Sequence, residues 1–307
     1  MARKSRTQLS AAPVAEGVRF TIGTATAFAV RRESKDIALR IRRERRPVVA
    51  MMGRTPFVRG MLRLTRSVFG LVDGISESGE LQPQRIARGN RLERGIAELF
   101  RFHPESLVGF LSGVASILIL VTGICALPLA VRTWILPNFE LTAGWINAIM
   151  CFCRIVGAVL GVFLCTRLRV INRLCMYRGA INKVLNAYEA RRRTPDIEET
   201  RAASRLYRRS DAAFPTLVLT ASLIAFTMIR TFTLPIQILV RILIVFVAAG
   251  VVNEPIYLVE RLGPANPLRF LRAPLMWLER MFVMEPHSQM VEVALCAFNA
   301  AKENNME

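Results

Sequence analysis

The chain has 307 residues, of which 52% are hydrophobic, and its formal net charge is +19. The mean hydropathy is +0.34, a value that soluble basic proteins seldom reach. Together these values argue against a soluble protein and predict a mainly α-helical protein that crosses a membrane several times.

Residues 1–106 are predicted to form a cytoplasmic N-terminal region without a signal peptide, because it opens with no long apolar run. Residues 14–43 alternate as strands do on either side of the polar run 31–36, which predicts a β-hairpin. From Phe57 onward apolar residues recur at helical spacing with arginines on the other side, which predicts a basic amphipathic helix. This helix either lies among lipid headgroups or, as its narrow apolar stripe favours, packs on the cytoplasmic domain. A flexible linker is expected at 76–91.

Four apolar segments predict four transmembrane helices, each close to the roughly 20 residues that cross a hydrocarbon core. They are Leu107–Val131, Leu141–Cys165, Phe214–Ile229 and Leu234–Val252. The last two are expected to form a helical hairpin, with one long buried helix as the alternative. The predicted regions are 1–106, helices one and two at 107–165, a basic helical connection at 166–213, helices three and four at 214–253, and a C-terminal tail at 254–307.

The distribution of basic residues predicts the orientation of these helices. Residues 1–106 contain 21 basic and 10 acidic side chains, and residues 166–213 contain 12 basic and 5 acidic ones. The connection at 132–140 contains one of each. By the positive-inside rule, both termini and the middle connection face the cytoplasm, and a small α/β assembly is expected there.

Six cysteines are present, four of them inside the predicted membrane helices. This placement argues against a disulfide framework and favours reduced cysteines that contribute to packing. No cofactor-binding motif such as a phosphate loop or dinucleotide fingerprint is found, so no cofactor is expected.

Arg154 and Arg241 lie inside apolar segments that contain no Asp or Glu. An arginine near the middle of a bilayer costs about 2.5–3.5 kcal/mol on insertion scales, so it requires compensation by carbonyls, hydroxyls, water or an anion. These two residues are therefore candidates for an anion- or lipid-binding role, with fixed helix packing as the alternative. Arg154 is the stronger candidate, because Arg241 lies near enough to the outer face for its side chain to reach the interface.

Helical patterns continue in the cytoplasmic connection and the tail. A helix is predicted over Leu168–Ala190, and Thr194 with Pro195 predicts the start of a second helix that runs through Tyr207. A closing helix is predicted at Met290–Lys302.

Short motifs recur from the N-terminal region to the C-terminal tail. The central stretch reads Tyr177-Arg178-Gly179-Ala180-Ile181-Asn182-Lys183, followed by Ala187-Tyr188-Glu189. Upstream of it lie Val14-Ala15-Glu16-Gly17-Val18, Ala29-Val30-Arg31 and Pro56-Phe57-Val58-Arg59-Gly60. Downstream lie Ser204-Arg205-Leu206, Asn253-Glu254, and Glu285-Pro286 with Gln289 and Val291-Glu292-Val293-Ala294. These motifs, over residues 14 to about 298, resemble those of the YqhQ-like family of bacterial integral membrane proteins, whose function is not established.

The resemblance also shows where this chain departs from the family. The sequences of typical members are similar to Y-H-G-A-E-H-K in the central stretch and to H-P-R-C-G before the third membrane helix. The histidines, glutamate and cysteine of these two motifs are the reason why some members are described as metal-dependent. Here these positions hold Arg178, Ile181, Asn182, Tyr207 and Ser210, whereas the acidic family positions Glu189, Glu254 and Glu285 are retained. Of the acidic residues near the replaced ligands, Glu189 remains, and one carboxylate cannot hold a transition metal. The resemblance therefore implies a lost metal site and no bound metal.

Positive charge replaces the metal-ligand set on the cytoplasmic connection. The predicted partner-binding surface consists of Arg178, Asn182, Lys183, Arg208 and Arg209. Contact with anionic lipid headgroups is the expected role of this charge, and a binding surface for an acidic partner or a phosphate-bearing ligand is the alternative. A homo-oligomer or a hetero-oligomer with an intact paralogue is also considered, and nucleic acid is not expected. The leading hypothesis is a non-catalytic scaffold or partner-binding protein. The alternatives are a lipid- or anion-handling protein that uses Arg154 and Arg241, and a metal-dependent membrane enzyme.

Overall fold

The computed structural model describes residues 9–14, 16–32, 36–43, 55–67, 104–207, 213–227, 234–262 and 272–306. The chain is mainly helical with one small antiparallel sheet, as the composition and the alternating N-terminal segment predicted. The expected linker at 76–91 lies outside the described residues, as do Arg208, Arg209 and Ser210.

Four strands form the sheet in the order in which they occur along the chain. They are β1 (Leu9–Val14), β2 (Gly17–Ile22), β3 (Ala25–Arg31) and β4 (Ile37–Arg43). The predicted hairpin is the β3–β4 pair, but the count of two strands was wrong. The missed turns are only two residues long and contain Glu16 and Gly23 at positive φ (56° and 61°), so they scarcely interrupt the alternation of the sequence.

Nine helices are found in the described part of the chain. They are α1 (residues 58–67), α2 (Pro104–Ala130), α3 (Ala143–Cys165), α4 (Arg169–Arg191), α5 (Ile197–Ala202), α6 (Phe214–Phe226), α7 (Leu234–Leu262), α8 (Arg272–Phe282) and α9 (Ser288–Met306). A π-helical turn and a 3₁₀ turn continue α2 as far as Asn138.

One hydrophobic core unites the sheet with helices from the middle and the end of the chain. Val18, Phe20, Ala27 and Ala29 form one face of β2 and β3, and this face packs against α9 and α4. The ring of Phe298 on α9 meets that of Phe20 edge-on, with 5.5 Å between centroids. The N-terminal region, the middle connection and the C-terminal tail therefore build one α/β unit.

Three helical stretches are long and apolar enough to cross a membrane: Val114–Asn138, Ala143–Cys165 and Ile236–Leu258. The fourth predicted segment is the shorter helix α6, which has 13 residues and is about 20 Å long at 1.5 Å per residue. It packs against α7, so the two segments are separate helices rather than one long one. Helices α2 and α3 approach closely at Gly123 and Gly157, where the backbones are in contact.

The connection after α4 differs from its prediction at both ends of the second helix. Asp196, rather than Thr194, is the N-cap of α5, and its side chain accepts a hydrogen bond from the backbone N–H of Ile197 at 2.7 Å. Glu199 completes a capping box, which the acidic residues after Pro195 could have indicated. The helix ends at Ala202 instead of reaching Tyr207, because side chains of α4 bind the backbone carbonyls of the residues that follow.

Candidate functional site

A polar stripe on α4 carries the central family motif. Asn182, Asn186 and Glu189 are spaced at i, i+4 and i+7, which places their side chains on one face of the helix. This face meets the non-helical segment Ser204–Tyr207, which follows α5. We call this arrangement the α4 clamp.

The two asparagines of the α4 clamp bind backbone carbonyls. Asn186 donates from Nδ2 to the carbonyl oxygens of Ser204 at 2.6 Å and Leu206 at 2.9 Å. Asn182 donates to the carbonyl of Arg205 at 2.9 Å. A segment outside helices and sheets needs other partners for its backbone groups, and three successive carbonyls obtain them here.

Glu189, the retained acidic residue of the clamp, binds a side chain instead. Its Oε1 accepts a hydrogen bond from the hydroxyl of Tyr207 at 2.8 Å. Tyr207 occupies the position at which the motif of typical family members has a histidine. The motif positions 189 and 207, which are 18 residues apart, therefore meet in space. Their contact here is a tyrosine–carboxylate hydrogen bond, which holds the end of the non-helical segment against α4.

Asn182 also reaches a buried carboxylate on α8. Its second N–H is directed to Oε1 of Glu279 at 3.1 Å, and the side chains of both residues are buried. A buried carboxylate requires hydrogen-bond donors to offset its loss of hydration. The amide at position 182 thus joins α4 to the non-helical segment and to α8.

Lys183 and Glu285 form a second contact between distant segments. Nζ of Lys183 lies 2.5 Å from Oε1 of Glu285 and donates to the carbonyl of Arg201, at the end of α5, at 2.9 Å. Arg205 approaches the other carboxylate oxygen of Glu285 at 3.7 Å. The lysine is 8% exposed, so its ammonium group acts between parts of the chain rather than on a free surface.

The remaining motif positions of α4 face other elements. Arg178 donates from Nη1 to the carbonyl of Ala11 on β1 at 3.1 Å, and Ile181 belongs to the hydrophobic core. Gly179 packs directly on the backbone of Met284, where a Cβ would collide with the carbonyl oxygen. Arg178, Ile181 and Asn182 therefore contact three different parts of the protein.

A second motif contact joins α1 to the end of α7. Both Nε and Nη2 of Arg59 donate to the carboxylate of Glu254, and the guanidinium lies over the ring of Tyr257, 3.4 Å from its centroid. The backbone N–H of Phe57 donates to the same carboxylate at 2.9 Å, which caps the first turn of α1. Glu254 consequently stabilises both the start of α1 and its attachment to α7.

The rest of α1 fits the same surface. Arg63 donates to Oδ1 of Asn253 at 2.9 Å and lies over the ring of Phe214 at 4.7 Å, while Gly60 lies against the backbone of Ala249. Part of the α1 sequence thus packs on the apolar helices α6 and α7. The alternative that its narrow stripe favoured was packing on the cytoplasmic domain, so the partner differs from the one expected. The family-like stretches that begin at Pro56 and at Asn253 therefore meet in space.

Burial disfavours the charged forms of two titratable side chains on α4, Cys175 and Tyr177. Burial raises the pKa of the Cys175 thiol to about 11, although the charge of Arg178 opposes the shift. Burial also raises the pKa of Tyr177. Among the described residues, no group of three His, Cys, Asp or Glu side chains lies close enough to hold a metal ion.

The two arginines of the apolar segments occupy different depths and are not brought together. Arg154 is 11 residues from either end of α3, which corresponds to about 16 Å at 1.5 Å per residue, and it is half-buried. No hydrogen bond or ion pair joins it to another described residue. Arg241 is exposed, five residues from the start of its span, and lies over the ring of Phe226 at 5.7 Å.

Several of these contacts were not anticipated from the sequence. Asn186 and Glu279 were missed as partners, although the i, i+4 and i+7 spacing on α4 could have revealed Asn186. The expected basic surface is also altered, because Asn182 and Lys183 are buried and Arg178 binds β1. The exposed basic side chains of the described part of the connection are instead Arg167, Arg173, Arg191, Arg192, Arg193 and Arg201.

The fold and these contacts define a class of mainly helical protein in which apolar helices suited to a membrane are attached to one α/β unit. The chain belongs to the family described as protein of unknown function (DUF1385), whose model matches residues 55–304. It is 24% identical over 291 residues to the uncharacterized protein YqhQ of Bacillus subtilis (strain 168), covering 93% of this chain and 89% of that relative. The resemblance to the YqhQ-like family is thereby confirmed. No solved structure matches the chain.

Proposed function

We propose that this protein is a non-catalytic membrane scaffold whose family motif positions stabilise its own fold and leave a basic surface for a partner. One observation carries the proposal. The three retained acidic positions each bind a group from another segment: Glu189 binds Tyr207, Glu254 binds Arg59, and Glu285 binds Lys183. Their carboxylates act as internal ties.

Connectivity supports a membrane topology with four crossings. The sheet before α2, helix α4 after α3, and helix α9 after α7 share one hydrophobic core, so all three lie on the same side of the membrane. The chain must therefore cross an even number of times between them. Between α4 and α9 the candidate crossings are α6 and α7, so if α7 crosses, the segment that contains α6 must cross as well. Together with the positive-inside rule, this argument supports the proposal that both termini and the α/β unit are cytoplasmic at the bacterial inner membrane.

The proposed partner surface is the exposed end of α4 at Arg191, Arg192 and Arg193. Arg191 and Arg193 both pair with Glu199, whereas Arg192 ends α4 in the left-handed conformation with φ of 52°. Exposed positive charge of this kind fits an acidic protein surface. In the scaffold hypothesis the partner is a protein, either a paralogue that retains the intact motif or another acidic protein.

Site-specific photo-crosslinking in cells tests this proposal. A photoreactive residue at position 193 is expected to form a discrete protein adduct, which is lost with Arg192→Glu and kept with Arg132→Glu. Arg132 is a suitable control because it is an exposed arginine at the opposite end of the membrane helices. If position 193 gives no protein adduct, or the adduct survives Arg192→Glu, the scaffold proposal fails.

Lipid or anion handling is the second candidate, and the position of Arg154 favours it. A guanidinium at the midpoint of an apolar helix cannot reach either interface, so it needs a compensating group at that depth. An anionic lipid headgroup drawn into the helix bundle, or a bound anion, would supply one. Arg241 lies close enough to an end of its helix to reach the interface.

Replacing Arg154 with leucine is expected to leave the protein folded and inserted but to remove co-purifying anionic lipid. Arg241→Leu is the matched control, with the smaller effect. Native mass spectrometry after mild detergent extraction measures the bound lipid directly. Unchanged lipid binding in Arg154→Leu, or failure of that variant to fold, would instead indicate that Arg154 fixes helix packing.

A further inference from the structure

Helix α8 packs one of its faces against the ends of the apolar helices. Leu278 and Met281 form a cluster with Val159 of α3, Leu217 of α6 and Ile256 of α7. Leu217 is in the first turn of α6, and Ile256 is two residues from the end of its membrane span. The cluster therefore lies at one end of the apolar helices, on the side of the α/β unit.

The opposite face of α8 is exposed and carries a large aromatic side chain. Ala273, Trp277 and Arg280 are spaced at i, i+4 and i+7, so they form one stripe, and all three are exposed. Trp277 is 58% exposed. A tryptophan this exposed is unusual on a surface that faces water, since its ring is one of the largest apolar groups in a protein.

Large exposed apolar side chains also occupy the end of the α7 span, which packs against α8 through Ile256. Val251, Tyr257 and Leu258, in the last turns of the α7 span, are also exposed, while Ile256 packs against α8. The membrane boundary predicted by the end of this span is thus at the level of α8. A tryptophan and an arginine side by side at such a boundary match the amphipathic composition of the lipid headgroup layer.

We propose that α8 is an interfacial helix that lies in the headgroup layer of the membrane, with Trp277 inserted among the lipids and Arg280 bound to anionic headgroups. The indole has an apolar ring and one N–H donor, a combination that the interface solvates better than water or hydrocarbon. The arginine gains Coulomb attraction from the negative surface potential of anionic lipid. This partner is a lipid surface, distinct from the protein partner proposed for the end of α4.

The position of α8 also links this lipid contact to the α4 clamp. Glu279 directly precedes Arg280 but faces inward. Its side chain is only 2% exposed and accepts a hydrogen bond from Asn182. Leu278, on the same turn, contacts the apolar helices. One helical turn thus contacts the lipid surface, the membrane helices and the α/β unit, and it holds these three parts in a fixed relation.

The chain contains three tryptophans, Trp134, Trp145 and Trp277, which permits a direct fluorescence test. Trp134 and Trp145 lie at the opposite end of α2 and α3 and are exposed, so W134F/W145F leaves Trp277 as the sole indole without changing a packed core. The full-length variant is reconstituted into vesicles of phosphatidylcholine and phosphatidylglycerol. Lipids brominated at shallow or deep acyl positions then report the depth of the indole.

We expect Trp277 to lose most of its emission with shallow bromines and little with deep ones. Arg280→Glu in the same background should shift the emission towards that of indole in water in these anionic vesicles, whereas Arg192→Glu should leave it unchanged. Emission typical of water with no quenching by brominated lipid would overturn the proposal. A second result would also overturn it: no quenching by brominated lipid, but an emission that changes with the protein-to-lipid ratio. That result would show that a second copy of the chain, rather than lipid, covers Trp277.

Discussion

Replacing Glu254 with alanine is expected to detach α1 from the apolar helices. The change removes the carboxylate that binds Arg59 through two nitrogens and also removes the acceptor for the backbone N–H of Phe57. The side chains of Arg59 and Glu254 are 15% and 26% exposed. We therefore expect the free energy of unfolding to fall by about 2 kcal/mol. This value lies between the ~1 kcal/mol for exposed ion pairs and the ~3–5 kcal/mol for breaking fully buried ones.

Thermal unfolding of the purified protein and proteolysis at the arginines of α1 measure this effect. Glu198→Ala is the matched control, since Glu198 forms an exposed ion pair with Arg201 within α5 and should be nearly neutral. The double variant Arg59→Ala/Glu254→Ala should lose less stability than the sum of the single variants. Equal unfolding temperatures for Glu254→Ala and Glu198→Ala would show that α1 is attached by other contacts.

Replacing Gly157 with alanine is expected to separate α2 from α3. A Cβ at position 157 would collide with the backbone carbonyl of Gly123, and neither backbone can yield without moving a helix. Overpacking of this kind costs about 1–3 kcal/mol and occasionally more. The variant should therefore unfold at a lower temperature and be recovered from membranes in smaller amounts.

Gly144→Ala provides a control on the same helix. No atom lies within 4 Å of a Cβ at position 144, so this alanine should change stability by no more than about 0.5 kcal/mol. Thermal unfolding of the two variants in the same detergent compares them directly. If Gly157→Ala unfolds at the same temperature as Gly144→Ala, the close contact between α2 and α3 is not required for stability.

The parts of the fold that were predictable are those that each segment specifies by itself. Long apolar runs such as Leu141–Cys165 and Leu234–Val252 imply helices whatever surrounds them, and α4 and α9 likewise follow from local periodicity. Strands β1 and β2 were missed because two-residue turns leave hardly any break in the pattern. The end of α5 was misplaced because a tertiary contact, the α4 clamp, overrides the helical tendency of the residues after Ala202.

The contacts of the motif residues were harder to predict. The partners of Asn182 and Asn186 include backbone carbonyls, which every residue possesses and which leave no mark in a sequence. Arg59 and Glu254 are 195 residues apart, and nothing in their local sequences identifies either as the partner of the other. The family resemblance marked both stretches as important, but only the fold shows that they meet.

Elemental analysis of the purified protein tests most directly the claim that its motif positions stabilise the fold rather than bind metal. After mild extraction without chelator, we predict no stoichiometric transition metal, because Glu189 is bound by Tyr207 and Asn182 is bound by the carbonyl of Arg205 and by Glu279. One zinc, iron or manganese ion per chain that disappears in Glu189→Gln would contradict the account and favour the metal-dependent enzyme.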